Sequence, residues 1–212
     1  MISVLVANPK GGCGKTTIAT QLAAAFANQG FKTALAETDR QRSSLDWLEA
    51  RPKDVAPIEC LNWINEIKKP PKKVSRLVID SAGSGKIARL RELVRFCDVI
   101  LIPILPSAFD FRSTKTFLEK FGDVKPIKKN KKSFALVRNR VRHRSRAVKW
   151  LDSLMVESKA TDIGWVSDRA LYNEVAWQGL SIFDLHTRQA LELQNDWIPL
   201  FRFIERHSDT KR

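Results

Sequence analysis

Hydrophobic positions along this chain switch between short unbroken runs and a three-to-four-residue period. Ile2 to Ala7 is an apolar run, the pattern of a buried strand, and Ile18, Leu22, Ala25, Phe26 and Gln29 then recur at helical spacing. Gly30 and Phe31 turn the chain into Lys32 to Glu37, a second short strand, and Ser43 or Ser44 caps a helix carrying Leu45, Trp47 and Leu48. Pro57 to Trp63 reads as a short strand or turn ahead of a polar helix. Lys68 to Lys73, broken by Pro70 and Pro71, is a surface loop before the strand Arg76 to Ile79. Ile87, Leu90 and Val94 share a helix face, Val99 to Leu105 is a strand interrupted by Pro103, and Phe117, Leu118 and Phe121 belong to a further helix. Ser133 to Val137 is the next strand, followed by a helix with Val148, Leu151 and Met155. Ala190, Leu193, Trp197, Leu200 and Ile204 close the pattern as core-docking helix positions, with Pro199 opening a new turn. This alternation predicts an α/β fold of three layers, with a mostly parallel central sheet flanked by helices and a site at the strand C-terminal ends.

Between the first strand and first helix stands Pro9-Lys10-Gly11-Gly12-Cys13-Gly14-Lys15-Thr16-Thr17. Glycines let backbone N–H groups curl around an anion, and the helix N-terminus adds partial positive charge. Lys15 can reach the β- and γ-phosphates of a nucleotide, and the Thr16 hydroxyl can hold Mg²⁺. The pattern departs from the common phosphate loop, whose first glycine is replaced by Pro9, and it carries a second lysine, Lys10. Cys13 fills the free position of the loop as a small residue. Two later strands end in carboxylates, at Glu37-Thr38-Asp39-Arg40-Gln41 and at Asp80-Ser81-Ala82-Gly83. Asp39 is suited to orienting an attacking water, unless it is simply a turn or helix-start acid. Asp80 is placed to hold the Mg²⁺ hydration shell, and Gly83, lacking a side chain, lets its backbone N–H approach a γ-phosphate.

Charge adds a second theme. The formal net charge is +14, and sixteen of the 37 Lys and Arg residues fall in two acid-free stretches. The first holds Lys68, Lys69, Lys72, Lys73 and Arg76. The second runs through Lys125, Lys128, Lys129, Lys131, Lys132, Arg138, Arg140, Arg142, Arg144, Arg146 and Lys149. The remaining 21 basic residues face 23 acidic ones, so the excess is local and points to a polyanion-binding face. Arg138, Arg140, Arg142, Arg144, Arg146 and Lys149 are the candidates for gripping DNA phosphates without reading bases. The three cysteines are odd in number and widely spaced, which suggests neither a disulfide framework nor a zinc site. No leader pattern and no run of membrane-spanning length is present, so a soluble, cytoplasmic, single-domain protein spanning 1–212 is expected.

The loop Lys10 to Thr17 resembles the deviant Walker A loop of the ParA/MinD ATPases. In that family the position of Lys10 crosses an ATP-sandwich homodimer to the partner's phosphates. Asp39 and Gln41 match the family's D-x-D-P-Q switch, with Glu37 and Arg40 departing from it, and Asp80-Ser81-Ala82-Gly83 is similar to its second switch. The Asp98 to Ser107 stretch and the Gly179-Leu180-Ser181-Ile182 turn are also family-like. The resemblance implies that Asn139, after the Ser133 to Val137 strand, recognises adenine, though a turn-forming role suits it nearly as well. It also implies a P-loop fold, a nucleotide held by Gly11, Gly12, Cys13, Gly14, Lys15, Thr16, Thr17, Gly83 and Asn139, and a metal held by Thr16 and Asp80. Lys10, Lys15 and Asp39 would then serve catalysis.

What the resemblance implies for function is an ATP- and Mg²⁺-dependent dimer that binds DNA nonspecifically and is released on hydrolysis stimulated by a ParB-like adaptor. Such a protein would be nucleoid-associated and would segregate a plasmid or chromosomal locus. The alternatives are the same engine positioning a protein cargo, in division, chemotaxis or a microcompartment, and a nucleotide-gated binder with little hydrolysis. The loop begins at residue 9, so a small ParA without a preceding helix-turn-helix is expected. MinD-like relatives end in a membrane-binding helix, but the tail Phe201 to Arg212 carries Glu205 and Asp209 and ends polar, so membrane is not an expected partner.

Overall fold

The computed structural model describes residues 1–83, 87–122, 124, 127, 132–142, 151–152 and 161–208. Arg144, Arg146 and Lys149 lie outside them, as do Lys125, Lys128, Lys129, Lys131, Val148 and Met155 of the expected basic helix region. Among the described residues seven strands form one all-parallel sheet: β1 (Ile2–Val6), β2 (Thr33–Glu37), β3 (Ile58–Asn62), β4 (Arg76–Asp80), β5 (Val99–Ile104), β6 (Ser133–Val141) and β7 (Thr161–Ser167). Their spatial order is β3-β2-β4-β1-β5-β6-β7. The described helices are α1 (Lys15–Asn28), α2 (Ser43–Ala50), α3 (Ile87–Phe96), α4 (Ala108–Gly122), α5 (Leu171–Trp177), α6 (Arg188–Gln194) and α7 (Ile198–Ser208).

The central strands are apolar throughout because helices cover both sheet faces, giving two separate cores. One gathers Val4, Val6, Ile18, Leu22, Phe26, Val78, Leu101 and Val137 under α1 and the C-terminal helices. The other gathers Leu5, Leu77, Ile79, Ile100, Ile102, Leu93 and Phe121 under α3 and α4. Pro103 is accommodated in β5 because the last β1–β5 pair is Val6 with Leu101, so the ladder on that side has ended.

The C-terminal pattern is used as expected. Trp197, Leu200 and Ile204 are essentially inaccessible, and Phe201 packs on Phe26 at 6.0 Å and on Phe183 at 5.7 Å between ring centres. The apolar face of α7 is thus spent on the core. No helix among the described residues is long and apolar enough to cross a membrane.

Two expectations need correction, and one strand had no reading in the sequence pattern. Residues 64–75 contain no helix, as Pro70 and Pro71 break the segment and no apolar stripe docks it. The strand expected to stop at Val137 continues to Val141, so Arg138, Asn139 and Arg140 lie inside β6. β7 was not expected as a strand, its pattern being interrupted by Gly164, which has a φ of 87°.

Parallel register brings the chemistry together. Glu37 at the end of β2 pairs with Asp80 at the end of β4, which also pairs with Val6 immediately before the glycine loop. Carboxylates 43 residues apart in sequence therefore sit side by side at the C-terminal edge of the sheet.

Candidate nucleotide site

The loop from Pro9 to Gly14 wraps over that edge. Gly12 and Gly14 have φ of 76° and 92°, a left-handed backbone that glycine enters without penalty. Gly14 is the N-cap of α1 and offers no side-chain cap, so the first-turn N–H groups face outward as anion donors. Asn8 anchors the loop from beneath. Its carbonyl oxygen accepts from the Lys10 N–H at 3.0 Å, while its amide donates to Pro103 O at 2.7 Å and to Thr114 Oγ1 at 3.3 Å. Sequence reading missed Asn8, whose only signal is a polar residue closing an apolar strand.

Lys15 is buried, and its ammonium donates to the Lys10 carbonyl at 2.9 Å. It also borders Gly83: a Cβ placed on Gly83 would lie 3.1 Å from Lys15 Nζ and 3.6 Å from Gly11 Cα. The second strand-end turn therefore closes over the loop at a point where glycine leaves room. The Cys13 thiol is buried against the Lys10 carbonyl at 3.3 Å, and burial pushes its pKa up, which suits a filler rather than a nucleophile.

Asp80 is 2% exposed, with the Thr16 hydroxyl beside it. Its Oδ1 has no partner among the described residues. Burial, followed by the neighbouring Glu37 charge, pushes its pKa up to about 7 against the pull of Thr16 and Lys15. A buried carboxylate with one idle oxygen, next to a threonine hydroxyl, is a natural hard-cation ligand pair. With Lys15 and the uncapped helix start alongside, these residues fit a magnesium nucleotide. Thr16 and Asp80 would hold the metal, which would neutralise charge on the phosphates.

Asp39 faces the Asp80–Gly83 turn. Its Oδ2 accepts from the Gly83 N–H at 3.3 Å and its Oδ1 from the Gln41 N–H at 3.1 Å. Thr38, also missed by sequence reading, stitches the two turns: its hydroxyl donates to Asp80 O at 3.1 Å and accepts from the Ala82 N–H at 3.1 Å. Glu37 is fully buried, with Oε1 accepting from the Asp39 N–H at 2.7 Å and Oε2 accepting from the Ser44 N–H at 2.9 Å and the Ser44 hydroxyl at 2.8 Å. Its carboxylate thus joins the Asp39 turn to the first turn of α2. Arg40 points to solvent, and Arg42 takes the left-handed N-cap conformation of α2 at φ 59°.

The expected DNA-binding arginines divide. Arg138 is a correction: it is 8% exposed and ion-paired with Asp152 at 2.8 Å, which removes it from any duplex-gripping surface. Arg140 is exposed, and Arg142 is exposed with a bond to Asp168 at 2.7 Å. In the first basic stretch, Arg76 lies over the Phe31 ring at 3.7 Å and pairs with Glu205 at 3.2 Å, and Lys73 pairs with Glu59 at 3.0 Å. Asn139 is buried, and its amide donates to Cys13 O at 2.9 Å.

Comparison with known proteins agrees with this geometry. A carboxysome distribution maintenance protein A from Halothiobacillus neapolitanus is 31% identical over 196 residues, covering 88% of each chain. The ATP complex of a point variant of McdA from Cyanothece superposes with a TM-score of 0.75 at 14% identity, covering 100% of this chain and 98% of that one. A plasmid partition protein from Borrelia burgdorferi bound to AMPPNP gives 0.73 at 18% identity, covering 95% and 99% respectively. Residues 4–169 match the CobQ/CobB/MinD/ParA nucleotide binding domain, and the chain belongs to that family.

Proposed function

We propose that this chain is an ATPase that positions a protein cargo, cycling between an ATP-bound dimer on DNA and a released form after hydrolysis. The observation that carries the nucleotide cycle is the convergence of Lys15, Thr16, Asp39, Asp80 and Gly83 on one sheet edge. The relative at 31% identity, named for carboxysome distribution, supports a proteinaceous microcompartment as the cargo class ahead of a DNA locus. In this cycle Lys15 neutralises phosphate charge, and Lys10, half-exposed at the loop's lip, serves the partner's phosphates across the dimer. Asp39 holds the attacking water and takes up its proton at the carboxylate. Exposed Arg140 and Arg142 contribute to nonspecific DNA contact, and an adaptor protein links the dimer to its cargo.

DNA partition, with a ParB-like adaptor, is the second reading; it uses the same cycle and the same basic surface, and a solved plasmid partition protein shares the fold. Deleting the gene and following both a fluorescently tagged protein assembly and plasmid inheritance separates the two. Cargo positioning is expected to give clustered assemblies with undisturbed inheritance, rescued by wild type and not by Lys15→Ala. Dispersed assemblies together with replicon loss would overturn it in favour of partition.

A further inference from the structure

Asn139 occupies an unusual place. It lies deep in β6, 2% exposed, with its amide nitrogen on the Cys13 carbonyl. A Cβ added to Gly14 would stand 2.0 Å from that nitrogen and 3.2 Å from Asn139 Cγ, so the amide packs directly against the loop backbone. The strand is irregular here. Pairing with β7 shifts register between Arg138 and Val141, and Arg140 takes a φ of 52°, rare for a residue with a side chain. Bulges of this kind re-aim one side chain, and the side chain beside this one meets the phosphate loop.

The Cys13–Gly14 peptide is planar and trans, so its C=O and N–H point in opposite directions. Anchoring the carbonyl on Asn139 therefore aims the Gly14 N–H away from β6. A flipped peptide would present a carbonyl oxygen to the phosphates in place of a donor. We propose that Asn139 is a positioning residue for the phosphate loop, locking this peptide in its anion-binding sense, and that it acts on the phosphate chain rather than on the base. The inference rests on the nucleotide-site reading and deepens it.

The test is calorimetric binding of ATP, GTP and inorganic tripolyphosphate, which has no base, to wild type, Asn139→Ala and Asn139→Asp. Circular dichroism fixes a temperature at which each protein is folded. Loss of one buried hydrogen bond is expected to weaken all three ligands in parallel, about fivefold to tenfold for Asn139→Ala. A larger loss is expected for Asn139→Asp, whose carboxylate cannot donate to the Cys13 carbonyl, with the ATP-to-GTP ratio unchanged. If Asn139→Ala and Asn139→Asp do not fold, Asn139→Ser is measured, with the same parallel weakening expected. Weakened ATP with unchanged tripolyphosphate, or a shifted ATP-to-GTP ratio, would overturn the proposal in favour of base recognition. Unchanged affinity for every ligand, with only the melting temperature lowered, would reduce Asn139 to a fold residue and equally overturn it. If wild type binds none of the three, the nucleotide-site reading itself fails, a result distinct from those.

Discussion

Asp80 shows most clearly how one side chain here serves the site at the expense of the fold. Buried beside Glu37 with an idle Oδ1, it is protonated more readily in the folded protein than in the unfolded chain. A raised carboxyl pKa contributes stability that is complete below the ordinary value of 3.8 and is lost as pH rises to about 7. The protein free of nucleotide and metal should accordingly lose stability through this group between about pH 4 and pH 7. Asp80→Asn, which cannot ionise, should be the more stable form at pH 8 by up to about 4 kcal/mol. Thermal melts of both proteins at pH 5 and pH 8 measure this, and identical pH dependence in the two would contradict it. Glu37 contrasts with Asp80, because both of its oxygens are satisfied by backbone and hydroxyl donors. Its extra methylene relative to aspartate, a departure visible in sequence, is used to reach the start of α2.

Between elements, the joint formed by Gly179, Ser181 and Asp184 ties the ends of α1 and α2 to the C-terminal helices. Asp184 makes a buried ion pair with Arg51 at 2.8 Å and accepts from Asn28 at 2.7 Å, while its other oxygen accepts from the Ser181 N–H at 2.8 Å. Gly179 has a φ of 67°, and a Cβ there would fall 2.4 Å from the Arg51 backbone nitrogen. Gly179→Ala should therefore cost ~1–2 kcal/mol for the left-handed backbone alone, with the clash added to it. Thermal melting reads this as a drop of several degrees, and an unchanged melting temperature would show that the joint can give. In sequence this joint is visible only as a family-like turn, because its ion pair spans 133 residues. The strands that sequence reading placed well are the ones buried on both faces, where an apolar run has no other use. β7 was hidden by a polar start and a glycine, and the end of β6 by arginines, of which Arg138 turns inward to Asp152. In the site, the loop and both strand-end acids were legible because their spacing is local. Asn8, Thr38 and the Asn139–Cys13 contact were not, because only the sheet order brings those groups together.

Across the described residues, parallel strands bring the groups proposed to handle phosphate to one edge, and the exposed Arg140 and Arg142 stand at the end of the same strand that supports the loop. In the proposed cycle that proximity would give nucleotide and polyanion a common structural element. The most direct test is binding of a random-sequence duplex with ATP, with ADP and without nucleotide, at two salt concentrations, for wild type and Lys15→Ala. Salt-sensitive binding that requires ATP and disappears in Lys15→Ala is the expected result. Binding indifferent to nucleotide, or equal in the two proteins, would contradict a cycle in which the nucleotide gates the protein's hold on DNA.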